Sequence, residues 1–307
     1  MKQAADARPR PIRTGLLVCA GSEERIEAAL ACEADALYLD LESVPEERLP
    51  DARTVVRRIV AGDLATGRTV LVRVNSPASG WTLDDLEAAV APGLYGVVLP
   101  KVERSHDVVA IDTLLGFLER RAGVSPGSII IHPLIETAKA VRRAYRIGRS
   151  SSRVAHMGGV SAPSGDLSRA LGFQWTAEGL ETLYVRSKVL VDARAAGVRY
   201  PLSGLAPVED DLEELRRIAL AARRLGYQGM LVGYASHVGI VNEAFTPSRK
   251  EIERWLGIVE AAARAREQGA RPAFRGRRLD EATVKWVEDN LELARRLRLI
   301  ERDADPW

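Results

Sequence analysis

The sequence has little cysteine and histidine, which argues against a disulfide framework and against a zinc site. Two cysteines and four histidines occur among 307 residues, and none of them has the spacing of a zinc-binding motif. Cys19 and Cys32 fall in a predicted strand and a predicted helix. We therefore expect both to be small core residues of a protein in a reducing compartment.

Long apolar runs and a charge excess are also missing. Because no apolar run approaches the about eighteen residues of a membrane-spanning helix, no membrane partner is predicted. The formal net charge of +2 gives no reason to expect a nucleic acid as partner. The first residues are polar and lack the apolar segment of a signal peptide. We predict a cytoplasmic protein in which residues 1–12 form a disordered tail.

A regular alternation of short apolar runs and amphipathic stretches is present instead. The runs cover residues 16–18, 36–39, 70–75, 96–101, 129–135, 154–157, 198–202 and 230–233. Such near-continuous runs are typical of parallel strands that helices cover on both faces. They predict an α/β fold, a (β/α)8 TIM barrel over residues 13–248. The alternative is a doubly wound open sheet, but no Gly-rich phosphate loop follows the first run.

The chain changes character after the last of these runs. Helical patterns cover residues 249–267 and 281–297, with an irregular link between them. Two helices are too few to hold a core of their own. We predict that residues 249–307 form a C-terminal helical extension, which packs against a neighbouring subunit or against the barrel as a lid.

Charged side chains follow almost every predicted strand, where a βα barrel has its active site. These residues are Asp40, Glu42, Arg73, Lys101, Glu103, Glu136 and Asp166. Glu136 and Asp166 follow successive strands and can converge on one hard cation, which predicts a Mg²⁺-type site. The alternative for Glu136 is a carboxylate that the N-terminus of the next helix favours.

The histidines give weaker signals. His106 is predicted at an exposed helix start, whereas His132 and His156 lie inside predicted strands as satisfied core residues. His237 follows the last strand near the predicted rim and is the only histidine that we consider as a site candidate.

Eight short motifs occur in order between residues 13 and 297. They are RTGLL (13–17), LDLE (39–42), VRVN (72–75), VLPKVE (98–103), LIET (134–137), GDL (165–167), NEAFTPS (242–248) and GRRLD (276–280). Each motif alone is weak, but the ordered set resembles the HpcH/HpaI aldolase and citrate lyase β-subunit family. That family includes malyl-CoA and citramalyl-CoA lyases.

The resemblance implies a (β/α)8 barrel that binds Mg²⁺, or alternatively Mn²⁺, through Glu136 and Asp166. It implies that Arg73 binds the substrate, a role that suits a planar guanidinium facing a carboxylate. The alternative for Arg73 is a structural ion pair with Asp40 or Glu42, and both roles are compatible. Asp40 and Glu42 would orient Arg73 and the water ligands of the metal, or form an ion-pair network without a ligand.

Three further residues take candidate roles from the resemblance. It implies that Asp280 acts as acid or base from the lid. The alternative for Asp280 is an N-cap of the helix that starts at Glu281. Arg13 and Lys101 are candidate contacts for a phosphate or a carboxylate of the substrate.

The resemblance implies a metal-dependent carbon–carbon lyase. Its substrate would be a β-hydroxy acyl-CoA of the malyl or citramalyl type, cleaved to an acyl-CoA and a 2-keto acid by a homo-trimer or hexamer. One alternative is an aldolase that acts on free pyruvate-derived hydroxy acids without CoA. Another is a binding or assembly subunit that has lost turnover.

The chain departs from the family pattern at the predicted mouth of the barrel. Ser43 stands where the family has an acid, and residues 233–235 (GYA) replace the usual Ile-His-Pro. His237 stands where a glutamine is common, and the loop before Asp166 is about three residues longer, with Pro163 in it. We expect retained metal chemistry and an altered substrate pocket.

Overall fold

A computed structural model describes residues 9–62, 67–159, 165–176, 178–206 and 208–300 of the chain. The chain divides into two compact units, Met1–Phe245 and Thr246–Trp307. Ile12, which we predicted to lie in a disordered tail, is fully buried. The longer loop predicted before Asp166 falls on residues 160–164 and lies outside the described residues.

The first unit is built on a parallel seven-stranded sheet. Its strands are β1 (Thr14–Cys19), β2 (Ala36–Asp40), β3 (Val70–Arg73), β4 (Leu94–Leu99), β5 (Ile130–Pro133), β6 (Leu202–Ser203) and β7 (Gly229–Val232). Their order across the sheet is β5-β4-β3-β2-β1-β7-β6. Neighbouring strands are parallel, as the near-continuous apolar runs predicted. An α/β fold is therefore confirmed.

The predicted sixth run, residues 154–157, is not a regular strand. Parallel bridges join Ile131 to Val154, Leu134 to Gly158, and Gly158 to Leu202. A segment around residues 154–158 therefore lies between β5 on one side and β6 on the other.

Helices follow the strands of the first unit. They are α1 (Glu23–Ala31), α2 (Leu49–Ala61), α3 (Thr82–Ala89), α4 (Ser105–Arg121), α5 (Ala138–Gly148), α6 (Asp166–Leu171), α7 (Leu180–Ala195), α8 (Leu212–Leu225) and α9 (Val238–Phe245). Short 3-10 helices cover Glu46–Arg48, Pro77–Ser79 and Ala235–His237. The α5 helix begins where the Thr137 side chain accepts a hydrogen bond from the Ala140 N–H at 3.1 Å.

Both faces of the sheet are buried, as successive residues of β2 show. Leu37 and Leu39 belong to the large apolar cluster that the helices share. Ala36 and Tyr38, at the alternate positions, belong to a separate inner cluster. Because side chains alternate along a strand, one run of apolar residues supplies two different cores.

The second unit consists of two helices and a short hairpin. Its elements are α10 (Arg249–Glu267), β8 (Ala273–Phe274), β9 (Arg277–Arg278) and α11 (Glu281–Arg296). Trp255 and Leu291 belong to an apolar cluster formed within this unit, so the expectation that the two helices hold no core was wrong. No helix among the described residues is long and apolar enough to cross a membrane.

Candidate active site

The strand register brings the predicted polar residues to one level of the sheet. Asp40 of β2 lies in register with Cys19 of β1 on one side and with Arg73 of β3 on the other. Glu136 follows β5 by three residues, immediately before the cap of α5. The carboxyl ends of parallel strands therefore carry these side chains to the same edge.

Arg73 is held by two carboxylates. Its Nε and Nη2 atoms donate to the two oxygens of Asp40 at 2.7 and 2.6 Å, and Nη1 lies 3.0 Å from Glu42 Oε2. Burial disfavours the charged guanidinium, but the hydrogen bonds and charges of Asp40 and Glu42 outweigh it and raise the pKa of Arg73. The predicted ion pair thus exists with both acids, and it engages all three nitrogens.

Ser43, which departs from the family pattern, joins this ion pair. Its hydroxyl accepts a hydrogen bond from Arg73 Nη2 at 3.1 Å and donates to Asp40 Oδ2. Asp40 also accepts from the Glu42 N–H at 3.0 Å. Ser43 therefore supplies a neutral bridge, and an acid there would add a further negative charge.

Lys101 contacts three carboxylates with two different groups. Its backbone N–H donates to Glu136 Oε1 at 2.6 Å. Its Nζ lies 2.8 Å from Glu42 Oε1 and 3.7 Å from Asp166 Oδ2. Lys101 has a φ of 52°, a left-handed conformation that costs a residue with a side chain about 1–3 kcal/mol. This backbone turn aims the N–H of Lys101 at Glu136.

Glu136 is the most perturbed acid of the network. Burial, together with the nearby charges of Glu42 and Asp166, raises the pKa of Glu136 to about 7, although the Lys101 N–H and Arg73 act to lower it. Asp166 is the first residue of α6 and is about one-third exposed, with Arg169 at 2.9 Å. Two carboxylates that follow successive strands are thus both within reach of Lys101.

This network has the donors for a hard divalent cation. It holds four carboxylates, Asp40, Glu42, Glu136 and Asp166, against three cations, Arg73, Lys101 and Arg169. The described residues contain no group of three or more His, Cys, Asp or Glu side chains that could hold a metal. A pair of carboxylates suits Mg²⁺, which keeps several waters when it binds to proteins.

A small cavity lies beside Arg73 and Glu136. Its volume is about 70 Å³. The other described residues that line it are Leu17, Tyr38, Val98, Leu134, Gly159, Gly204, Leu205 and Leu231. The cavity is therefore charged at one side and apolar elsewhere.

The structure does not bring Arg13 to this group. Arg13 directly precedes β1, whereas the site lies beyond the other end of that strand. Its Nε and Nη2 atoms donate to the Asp35 carboxylate at 2.9 and 2.7 Å. Arg13 precedes the first apolar run in the sequence, so its place at the amino end of β1 was the available signal against a role at the site.

Asp280 lies in the second unit, at the N-cap of α11. Its side chain accepts a hydrogen bond from the Thr283 N–H at 2.7 Å. Hydrogen bonds from the side chain and then the backbone of Thr283 lower the pKa of the exposed Asp280 carboxyl. The predicted cap is therefore confirmed, and the acid–base role stays a prediction.

The histidines occupy their predicted environments with one difference. His106 is exposed, whereas His132 and His156 are fully buried. Among the described residues, His132 Nε2 has no hydrogen-bond partner, so this side chain is not fully satisfied as we expected. His237 is also buried, and its Nε2 contacts the Glu209 carbonyl at 2.8 Å.

The sequence did not single out Tyr38 and Asp85. Tyr38 lines the cavity two positions before Asp40, and no residue type marked it because both faces of β2 are apolar. The fully buried Asp85 carboxylate accepts from the backbone and side-chain N–H groups of Asn75 at 2.7 and 2.9 Å, and from Arg53 Nε at 2.8 Å. It fixes the turn that follows Arg73, and no short motif marks it.

Comparisons with known proteins place these observations in a wider context. The model of the HpcH/HpaI aldolase/citrate lyase family matches residues 13–235. The chain is 29% identical over 263 residues to citrate lyase subunit beta of Escherichia coli (strain K12), covering 85% of this chain and 86% of that protein. It is 30% identical over 304 residues to the L-malyl-CoA/beta-methylmalyl-CoA lyase of Cereibacter sphaeroides, covering 91% and 93%.

A solved structure gives a similar result. The CitE protein of Mycobacterium tuberculosis, in complex with magnesium, acetoacetate and coenzyme A, matches with a TM-score of 0.69 at 26% sequence identity. The match covers 94% of this chain and 99% of that chain.

Proposed function

We propose that this chain, which belongs to the HpcH/HpaI aldolase/citrate lyase family, is a Mg²⁺-dependent carbon–carbon lyase that acts on a β-hydroxy acyl-CoA. The observation that supports this most directly is the network of Arg73, Lys101, Glu136 and Asp166 beside a cavity. The relatives that carry lyase names extend over most of the chain.

We propose further that the sheet closes into a (β/α)8 barrel. The parallel bridges on both sides of residues 154–158 support this, because they connect β5 to β6 through that segment. A closed barrel would place the carboxyl ends of all its strands around one mouth. Oligomerisation as a trimer or hexamer stays part of the proposal.

Glu136 and Asp166 would hold the cation, in line with the magnesium present in the CitE complex. Mg²⁺ bound there would supply Lewis-acid polarisation of substrate oxygens. Lys101 would then keep its backbone hydrogen bond to Glu136, while its Nζ stays paired with Glu42. Mn²⁺, which accepts similar oxygen ligands, is the alternative metal.

Arg73 would orient the carboxylate end of the substrate. Asp40 and Glu42 fix its guanidinium from two sides, so little side-chain entropy is lost when a ligand binds. Cleavage breaks the bond between the α and β carbons as the β-hydroxyl loses its proton. The products are a 2-keto acid and the enolate of the acyl thioester, whose carbon then takes a proton.

Asp280 is the proposed acid–base residue for that carbon. The Asp280 carboxyl is ionised near neutral pH, the form that accepts a proton, although its lowered pKa makes it a weak base. The residue would therefore assist most in the condensation direction, where it removes a proton from the methyl group of the acyl thioester.

A binding subunit without turnover is the second candidate. The observation that favours it is the complete engagement of the three Arg73 nitrogens by Asp40 and Glu42, which leaves the guanidinium committed before any ligand arrives. An aldolase acting on free hydroxy acids remains the variant within the same enzyme class.

Turnover and metal binding test the proposal together. Purified protein with Mg²⁺ is assayed on malyl-CoA, citramalyl-CoA and the corresponding free acids, and Mg²⁺ binding is measured by calorimetry. We expect Glu136→Gln and Asp166→Asn to lose both properties, whereas Glu87→Gln, whose carboxylate pairs with Arg121 at 2.9 Å, keeps them. Wild-type turnover in both site variants would refute the metal site. Mg²⁺ binding without cleavage of any compound would favour the binding subunit.

A further inference from the structure

The cavity beside Arg73 and Glu136 has an apolar interior. Four of its lining residues, Leu17, Tyr38, Val98 and Leu231, come from four different strands and therefore form one inner wall. Among the described lining residues, Arg73 and Glu136 are the two with a basic or an acidic side chain. A ligand held by these two residues would therefore direct its remaining part into an apolar space.

Tyr38 is the largest side chain of this wall, and it is fixed from two sides. Its hydroxyl contacts His132 Nδ1 at 3.3 Å, and the two rings meet edge to face with centroids 5.9 Å apart. On the other side the ring lies over Gly15, where a Cβ atom would be 2.5 Å from Tyr38 Cε2. Tyr38 and His132 are both fully buried, so the ring cannot retreat to enlarge the cavity.

The cavity selects by size. Its volume of about 70 Å³ exceeds the roughly 10–15 Å³ that one water molecule needs, and it admits a group of a few heavy atoms. A methyl or ethyl group fits this space. A hydrogen atom in the same place would leave the apolar wall without contacts.

The cavity also selects by charge. A second carboxylate placed there would lose its hydration, and Arg73, the one lining cation among the described residues, would already hold the first carboxylate. Lys101 Nζ is paired with Glu42. A dicarboxylic 2-oxo acid would thus bury a charge without a free cation to receive it.

We infer that the cavity receives a short alkyl substituent of a 2-oxo acid and that Tyr38 sets the length of that substituent. The inference rests on the proposed function, because it assigns the keto-acid half of the same reaction. It favours a monocarboxylic 2-oxo acid with a methyl or ethyl group over glyoxylate and over oxaloacetate. Tyr38 acts as a specificity-determining residue.

The test compares 2-oxo acids of increasing length. Condensation with acetyl-CoA in Mg²⁺ is followed by mass spectrometry of the thioester product, and kcat/KM is measured for glyoxylate, pyruvate, 2-oxobutyrate, 2-oxovalerate and oxaloacetate. Binding of the same acids is measured by calorimetry. We expect the wild-type dissociation constant to fall about fourfold from glyoxylate to pyruvate, the factor that one buried methylene supplies. The kcat/KM values are compared among the ketones, because glyoxylate is an aldehyde with a more reactive carbonyl.

Two variants enlarge the cavity at two different lining positions. Tyr38→Leu and Leu17→Ala are each expected to raise the ratio of 2-oxovalerate to pyruvate about tenfold. Tyr95→Phe is the control, because Tyr95 contacts His156 inside the same unit and is not among the lining residues. Circular dichroism and thermal melting establish that each variant is folded, and Leu17→Ala serves if Tyr38→Leu is not.

The outcomes separate this inference from the proposed function. Turnover with unchanged selectivity among the ketones in both folded variants overturns the inference alone. Tighter wild-type binding of glyoxylate or oxaloacetate than of pyruvate does the same. If no thioester forms but calorimetry shows the expected order of 2-oxo acids, the inference stands and the proposed function fails. If no 2-oxo acid binds or reacts, both fail.

Discussion

Asp40→Asn is expected to destabilise the protein by about 3 kcal/mol, because it breaks a buried ion pair from one side. The Asp40 side chain is 2% exposed and accepts two charge-assisted hydrogen bonds from Arg73. The asparagine amide would direct a donor at the guanidinium, whose charge would stay buried. Breaking a buried pair in this way costs about 3–5 kcal/mol. The lower figure applies here because Arg73 keeps Glu42 at 3.0 Å.

Urea unfolding with a matched control measures this effect. Glu103→Gln removes the ion pair between Glu103 and Lys139, whose side chains are 32% and 63% exposed, so its cost should be at most about 1 kcal/mol. If Asp40→Asn shifts the unfolding free energy no more than this control, the buried pair with Arg73 does not stabilise the protein. The reasoning from burial would then be refuted.

Three further predictions concern pH, the second unit and the metal. Burial lowers the pKa of His156 to about 4, so the unfolded chain binds a proton that the folded protein refuses, and the contribution of His156 to stability falls by roughly 3 kcal/mol from pH 6.5 to pH 4. The raised pKa of Glu136 acts in the opposite direction over this range, because there the folded protein binds the extra proton. Urea unfolding of the wild type and of His156→Gln at several pH values isolates the histidine, and the stability difference between the two proteins should change by that amount. Asp280→Ala should lower the free energy of unfolding by about 1 kcal/mol, because the helix loses its N-cap. Asp280→Ser should keep the cap and the stability but still lose turnover. Thermal melting and kinetic assays of the two variants therefore separate the capping role from the acid–base role. At a free Mg²⁺ concentration about 100 times the dissociation constant, bound Mg²⁺ should stabilise the protein by about 2.7 kcal/mol, and a chelator should remove this stabilisation. The stability of Asp166→Asn should not respond to the chelator.

Much of the site was predictable because parallel strands share one direction. Asp40, Glu42, Arg73, Lys101 and Glu136 each follow an apolar run, and the register carries them to one edge without further information. The sequence also predicted the ion pair of Arg73 as an alternative, since a buried guanidinium needs a partner. Their presence at one edge of the sheet follows from chain direction alone.

Other features depend on tertiary contacts that no short pattern contains. The left-handed backbone of Lys101 directs its N–H to Glu136, although a lysine predicts no such turn. The role of Tyr38 was hidden because both faces of β2 are apolar, so the alternation that separates two cores is not visible in the residue types. The motif containing Arg13 indicated a ligand contact, whereas the structure pairs it with Asp35.

The close approach of Gly15 to the Tyr38 ring gives the pocket a second, indirect route of mutational change. Any larger residue at position 15 would press on that ring, since even one added carbon would lie 2.5 Å from it. Gly15 is not among the residues that line the cavity. Substrate preference in this lineage can therefore drift through a position that a ligand never touches, and comparisons restricted to lining residues would not detect the change.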